Sequence, residues 1–180
     1  MTEGWSGRGP RVFRMPARGD RGGGRPTGIV SDRERMIEAL ERERNRVVRT
    51  GASCCLVLMA IDRLDERGGG EAMRDIGDRL LGGLRAYDDV YRYGQDRFLI
   101  SLPHIKPADL ASVLGRLRDL VADEPVPLGD GREIPVTASL GCAMMDGQVS
   151  LRAVLDRADQ ALQVAVSHGG DGFHMWTTGA

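Results

Sequence analysis

The apolar positions of the chain change their period several times, and each change marks an element. Within 27–48, "TGIVSDRERMIEALERERNRVV", the residues Met36, Ile37, Leu40, Val47 and Val48 recur at helical spacing behind a Ser31 or Asp32 cap. "CCLVLMAID", 54–62, is a short apolar run rich in β-formers and predicts a buried strand. "GGGEAMRDIGDRLLGGLRAY", 68–87, returns to the helical period, with Met73, Ile76, Leu80, Leu81 and Leu84 on one face. "DVYRY" and "RFLISLP" then alternate apolar with polar on either side of Gly94, the pattern of a β-hairpin.

Four more segments follow. "KPADLASVLGRLRDLVADE", 106–124, predicts a helix with Pro107 near its first turn. "REIPVTASLGCAMM", 132–145, predicts one strand. "SLRAVLDRADQALQVAVSHGG", 150–170, predicts a helix that stops at Gly169 and Gly170, and "GFHMW" a final short strand. The order α-β-α-β-β-α-β-α-β implies an α/β (α+β) domain: a central mixed sheet flanked by helices, with a hairpin in its middle. Residues 1–26 have no apolar period. They are rich in Gly and Pro, and Arg8, Arg11, Arg14, Arg18, Arg21 and Arg25 outnumber Glu3 and Asp20. That composition predicts a disordered basic arm ahead of one folded domain, 27–180.

Composition narrows the function classes. A chain of 180 residues with 41% apolar and 28% charged content can bury one core. A net charge of −1 gives no bias towards nucleic acid or membrane. Cys54, Cys55 and Cys142 lie in apolar runs without metal-ligand spacing, which predicts reduced, buried thiols. His104, His168 and His174 show no ligand spacing either. No run approaches the roughly 18 apolar residues of a membrane span, and the N-terminus lacks a signal-peptide core. The expected compartment is the cytoplasm.

Five segments, in order, resemble the GGDEF domain of diguanylate cyclases: "TGI" at 27–29, "LVLMAID", "RAYDDVYRYGQDRF", "VTASLGCA" and "ADQALQVAVSHGGDGF". The resemblance covers 27 to about 175. It implies the fold of nucleotidyl cyclases and polymerase palm domains, and a chemistry in which clustered carboxylates hold Mg²⁺ while two GTP molecules are joined into cyclic di-GMP. Several positions depart from that pattern. The first metal carboxylate falls on Ala60, while the second acid, Asp62, is kept. After Asp62 the guanine-reading loop is shortened. The hairpin reads Gly94-Gln95-Asp96-Arg97-Phe98, so Arg97 places a cation where the family has a carboxylate. The family's phosphate-clamping Lys and Arg fall on Val166 and Gly170. These departures lead to the expectation that the chain is not an enzyme and uses no cofactor.

The resemblance also implies a second site, which binds cyclic di-GMP through an RxxD motif ending five residues before the hairpin signature. Arg85-Ala86-Tyr87-Asp88 keeps that offset from Gly94. Arg can donate two parallel hydrogen bonds to guanine O6 and N7, and Asp can accept from the guanine N1–H and N2–H₂ edge. The i, i+3 spacing at a helix end would set both on one side. Arg116 of the following helix is the best-placed third ligand, with Arg118 as runner-up. The bland alternative is a surface ion pair of Arg85 with Asp88, worth under about 1 kcal/mol.

The leading expectation is therefore an inactive GGDEF domain that receives cyclic di-GMP at Arg85, Asp88 and Arg116 and signals through an unidentified protein partner, without membrane or specific nucleic-acid contact. The alternatives are a ligand-independent scaffold, a GTP-binding domain without turnover, and residual activity as one half of a composite dimer whose partner supplies the missing ligands; a homodimer is a further expected assembly.

Overall fold

The computed structural model describes residues 29, 32–64 and 69–177. Its first helix, α1 (Arg33–Thr50), begins at Asp32, whose carboxylate accepts the N–H groups of Glu34 and Arg35 at 3.0 and 3.3 Å. It ends at Gly51, whose φ of 67° is the left-handed conformation that glycine adopts without a Cβ penalty. Met36, Leu40 and Val47 are buried and Ile37 packs beside them, but Val48 is 57% exposed. One residue past Val47 the helix has turned by about 100°, so Val48 leaves the expected apolar face.

Strand β1 (Cys54–Asp62) is the centre of a five-stranded sheet. It pairs antiparallel with β3 (Arg97–Pro103) on one edge and antiparallel with β6 (Thr137–Met145) on the other. Strand β2 (Asp89–Arg92) extends the sheet antiparallel to β3, and β7 (Gly172–Met175) runs parallel to β6, giving the order β2-β3-β1-β6-β7. With a neighbour on each edge, β1 shows no alternation of buried and exposed positions; its first eight residues are all buried. The expected mixed sheet with a hairpin is what the chain forms.

Two layers of helices cover it. Helices α2 (Gly69–Gly83) and α3 (Pro107–Ala122) pack on the face that carries Cys55, Val57, Met59 and Ile61. Helices α1 and α4 (Leu151–Ser167) pack on the face that carries Cys54, Leu56, Leu58 and Ala60. α4 lies directly on β6 at Gly141, where an added Cβ would stand 1.9 Å from the backbone nitrogen of Leu162. Between α2 and the end of α3, the Arg79 guanidinium donates to the carbonyls of Val121 and Pro125 at 3.3 and 3.0 Å. It thereby satisfies acceptors at a helix C-terminus that has no basic residue in its own last turn.

Two expectations need correction. The strand predicted over 132–145 divides. Glu133–Ile134 (β5) pairs with an unforeseen partner, Val126–Pro127 (β4), and β6 starts only after Pro135 and Val136. Proline has no N–H to give to a ladder, so the long strand breaks there. The second helix ends at Gly83 rather than near Tyr87, because consecutive Gly82 and Gly83 carry the poorest helix propensity short of proline. The expected arm, 1–26, lies outside the described residues, as do Asp65, Glu66, Arg67 and Gly68 of the shortened loop. Among the described residues no helix is long and apolar enough to cross a membrane.

Three outcomes follow. Gly141→Ala should lower stability by about 3 kcal/mol or more in urea unfolding, because backbone must move to admit the methyl group. Gly115→Ala, mid-helix in α3 with open space around the added carbon, should be neutral or stabilising by up to about 1 kcal/mol. The three cysteines are free and buried; burial pushes the Cys54 thiol up to about 12, and interaction with the Cys142 thiol, then burial, pushes Cys55 upward as well. In the native state at pH 8 all three should resist Ellman's reagent and react only on denaturation.

Candidate nucleotide sites

Two clusters flank the short strand β2. The first is at the hairpin tip. The β-register sets Ala60 beside Arg97 on one side and Ser139 on the other, and Asp62 beside Thr137. Asp62 is not the merely solvated acid that a lone carboxylate after a strand suggests. It accepts from Thr137 Oγ1 at 2.8 Å, Ser139 Oγ at 2.7 Å and the Asp171 backbone N–H at 3.0 Å. A Cβ at Gly170 would lie 3.2 Å from this carboxylate. Where the resemblance would put an arginine side chain, this chain folds a tight turn with positive φ at Gly170 and Asp171 and gives Asp62 a backbone donor instead.

Arg97 reaches across to α4, where its guanidinium meets the Asp159 carboxylate at 3.1 Å, and it lies 3.8 Å from Asp96. Gln163 holds the other Asp159 oxygen at 2.8 Å. The cation at the hairpin is thus balanced by two carboxylates. Arg92 closes the tip from below: it donates to the carbonyls of Gly94 and Gln95 and sits 5.9 Å from the Phe98 ring. Gln95 and Asp96 are exposed, and so is Val166. Sequence reasoning missed Asp159 and Arg92. Asp159 stood inside a quoted motif without a role. Arg92 gave no signal, because a cation that caps carbonyls depends on where the tip folds.

The second cluster lies between α2 and β2. Arg85 and Asp88 are not at a helix end, as their spacing suggested, but on a turn that follows it. The Asp88 carboxylate accepts the Arg85 backbone N–H at 2.8 Å, and the Arg85 carbonyl accepts the Asp88 N–H at 3.0 Å. No side-chain ion pair joins the two, so the bland alternative fails as stated. The Arg85 guanidinium instead donates to the Tyr87 hydroxyl at 3.1 Å. Asp88 is buried, and burial raises its pKa above the ordinary aspartate value against the pull of Arg85 and Arg116. Arg116, exposed on α3, therefore shares the field of Asp88. Arg118 pairs with Asp119 at 2.7 Å and reaches to 3.8 Å from Asp171, which removes the runner-up from this cluster.

The sequence pattern described as "Diguanylate cyclase, GGDEF domain" matches residues 27–171. The chain belongs to the GGDEF family. Diguanylate cyclase DosC of Escherichia coli K12 is 26% identical over 76% of this chain, which spans 31% of DosC. Diguanylate cyclase DgcP of Pseudomonas aeruginosa is 31% identical over 81% of this chain, which spans 23% of DgcP. Among solved structures, the GGDEF domain of DgcB from Caulobacter crescentus in complex with c-di-GMP superposes with a TM-score of 0.76. It is 19% identical, and the match covers 87% of this chain and all of that one. Diguanylate cyclase SiaD of Pseudomonas aeruginosa, in complex with its activator SiaC, gives a TM-score of 0.74 at 29% identity, over 79% of this chain and 57% of SiaD.

Membership corrects one expectation. The departures at Ala60, Arg97, Val166 and Gly170 had led to the view that the chain is not an enzyme, but its family is that of the diguanylate cyclases, and its relatives DosC and DgcP carry that name. The Mg²⁺ that the GGDEF family implies finds no fit among the described residues of the hairpin. Asp62 is engaged with three donors, and the Arg97 guanidinium lies 3.8 Å from Asp96. No group of three ligating side chains is gathered among those residues, and no metal-dependent step is derived from them.

The raised pKa of Asp88 has a definite sign in stability. A carboxyl that holds its proton more tightly when folded adds stability below its ordinary value and loses it as pH rises through the folded value. The stability of the wild type minus that of Asp88→Asn, from urea unfolding, should therefore fall as pH rises from about 4. A difference that is flat or rises with pH would contradict the assigned burial.

Proposed function

We propose that this GGDEF domain is a cyclic di-GMP receptor: it binds the dinucleotide at Arg85, Asp88 and Arg116 and passes the binding state to a protein partner. The observation that carries this reading is the closed turn at 85–88. It holds Asp88 in a buried position with two arginines in its field, while the Arg85 guanidinium is spent on a neutral hydroxyl rather than on the carboxylate. A guanine base needs both kinds of group at once: donors for O6 and N7, and an acceptor for the N1–H and N2–H₂ edge. The phosphates of the ligand would take the second cation. Binding of c-di-GMP by the GGDEF domain of DgcB and of an activator protein by SiaD supports a ligand and a partner of these kinds.

Calorimetric titration of cyclic di-GMP into the wild type, Arg85→Ala and Arg116→Ala tests the reading, with GTP and Mg²⁺ in a parallel turnover assay. Micromolar binding that weakens at least tenfold in both variants is the expected result. A wild type that takes up no cyclic di-GMP, or variants that bind as it does, would remove the receptor assignment. GTP turnover by the wild type would add cyclase activity to the same domain.

A further inference from the structure

We propose that Tyr87 is a positioning residue: with His104 behind it, it holds the Arg85 guanidinium off Asp88 and so keeps both groups ready for a guanine edge. The inference rests on the receptor reading for its purpose, but its geometry stands alone. The backbone of the turn is closed by two hydrogen bonds between Arg85 and Asp88, which fixes where both side chains start. From there the guanidinium has two rival acceptors, the Asp88 carboxylate and the Tyr87 hydroxyl. The charged acceptor is ordinarily the stronger, yet the structure places the guanidinium on the hydroxyl, at 3.1 Å, with its carbon 6.0 Å from the ring centroid.

Something must keep the tyrosine in that place, because its ring is 45% exposed. The His104 imidazole meets it edge-on, with ring centroids 6.2 Å apart and planes at 86°, a favoured aromatic geometry. His104 is in turn held in a left-handed conformation with φ of 59°, uncommon for a residue other than glycine. That backbone is anchored from β1's approach: the His104 N–H donates to the Ser53 carbonyl at 2.8 Å, and Ser53 Oγ donates to the Ile105 carbonyl at 2.6 Å. Strain kept in place by two hydrogen bonds, and used to aim one ring at another, points to a use for that ring. The use the geometry offers is to keep a pair of opposite charges, three residues apart, from closing on each other.

Were they to close, Asp88 would lose its acceptor and Arg85 its fork before any ligand arrived. The test is the titration of the Asp88 carboxyl by NMR, together with cyclic di-GMP calorimetry, in the wild type, Tyr87→Phe, His104→Asn and Tyr87→Phe combined with Arg85→Ala. The charged groups that act on Asp88 are Arg85, Arg116 and Asp89. Asn tolerates the left-handed conformation at 104, so that variant removes the ring and spares the backbone. In Tyr87→Phe the titration midpoint of Asp88 should move down as Arg85 swings onto it, and affinity should fall about tenfold with the melting temperature unchanged. His104→Asn should move both readouts the same way, and the double variant should show no change in midpoint relative to Arg85→Ala alone. An Asp88 midpoint unmoved in Tyr87→Phe, or a shift that persists without Arg85, would overturn the proposal. A wild type that binds no cyclic di-GMP while the midpoint still moves would remove the receptor reading and support the Tyr87 contact.

Discussion

The placement of the cluster at the hairpin tip depends on the register of β1. This strand is bonded on both edges and buried on both faces, so a slip of one residue would send each of its side chains to the opposite helical layer. With the register fixed, Ala60 faces α4 beside Arg97 and Ser139, and Asp62 emerges two residues later on the same side, next to Thr137. The carboxylate then has two hydroxyls within reach from a neighbouring strand and a backbone N–H from the turn before β7. Ser139 is fully buried, and an unpartnered hydroxyl there would cost about 1–3 kcal/mol. Asp62 is therefore part of the way the sheet's end closes.

The same register explains how a cation is tolerated at the hairpin. Opposite an acidic residue Arg97 would neutralise a neighbour on β1; opposite Ala60 it has none there. Its length lets it pass over the small side chain and reach Asp159 on α4. Both partners are about 40% exposed, so the pair adds little to stability, but it fixes the direction in which the guanidinium points. Ala60 and Arg97 thus fit each other sterically as well as electrostatically.

Much of this was legible in the sequence, for reasons that differ by element. β1 and the hairpin announced themselves through period and apolar continuity, which respond directly to burial. The RxxD pattern was marked by its offset from Gly94, although its geometry was misjudged: the i, i+3 spacing suggested a helical face, whereas Gly82 and Gly83, three and two residues before Arg85, end α2. β4 was missed, and β5 was merged with β6, because two-residue strands are too short to leave a periodic trace. Arg92, Asp159 and the Tyr87–His104 contact were out of reach for another reason. Each joins residues whose proximity is created by the fold, and His104 depends on a backbone conformation that its residue type does not suggest.

The two clusters are also the two ends of one element. Asp88 immediately precedes β2 and the hairpin tip immediately follows it, and four residues of extended chain separate them by about 13 Å. Among the described residues β2 lies at the edge of the sheet, paired with β3, and β3 is paired with β1 at seven positions. A ligand that reorders the 85–88 turn would act on the start of a strand that ends at Arg92, the residue that holds the carbonyls of the tip. The path between the sites is thus short and continuous.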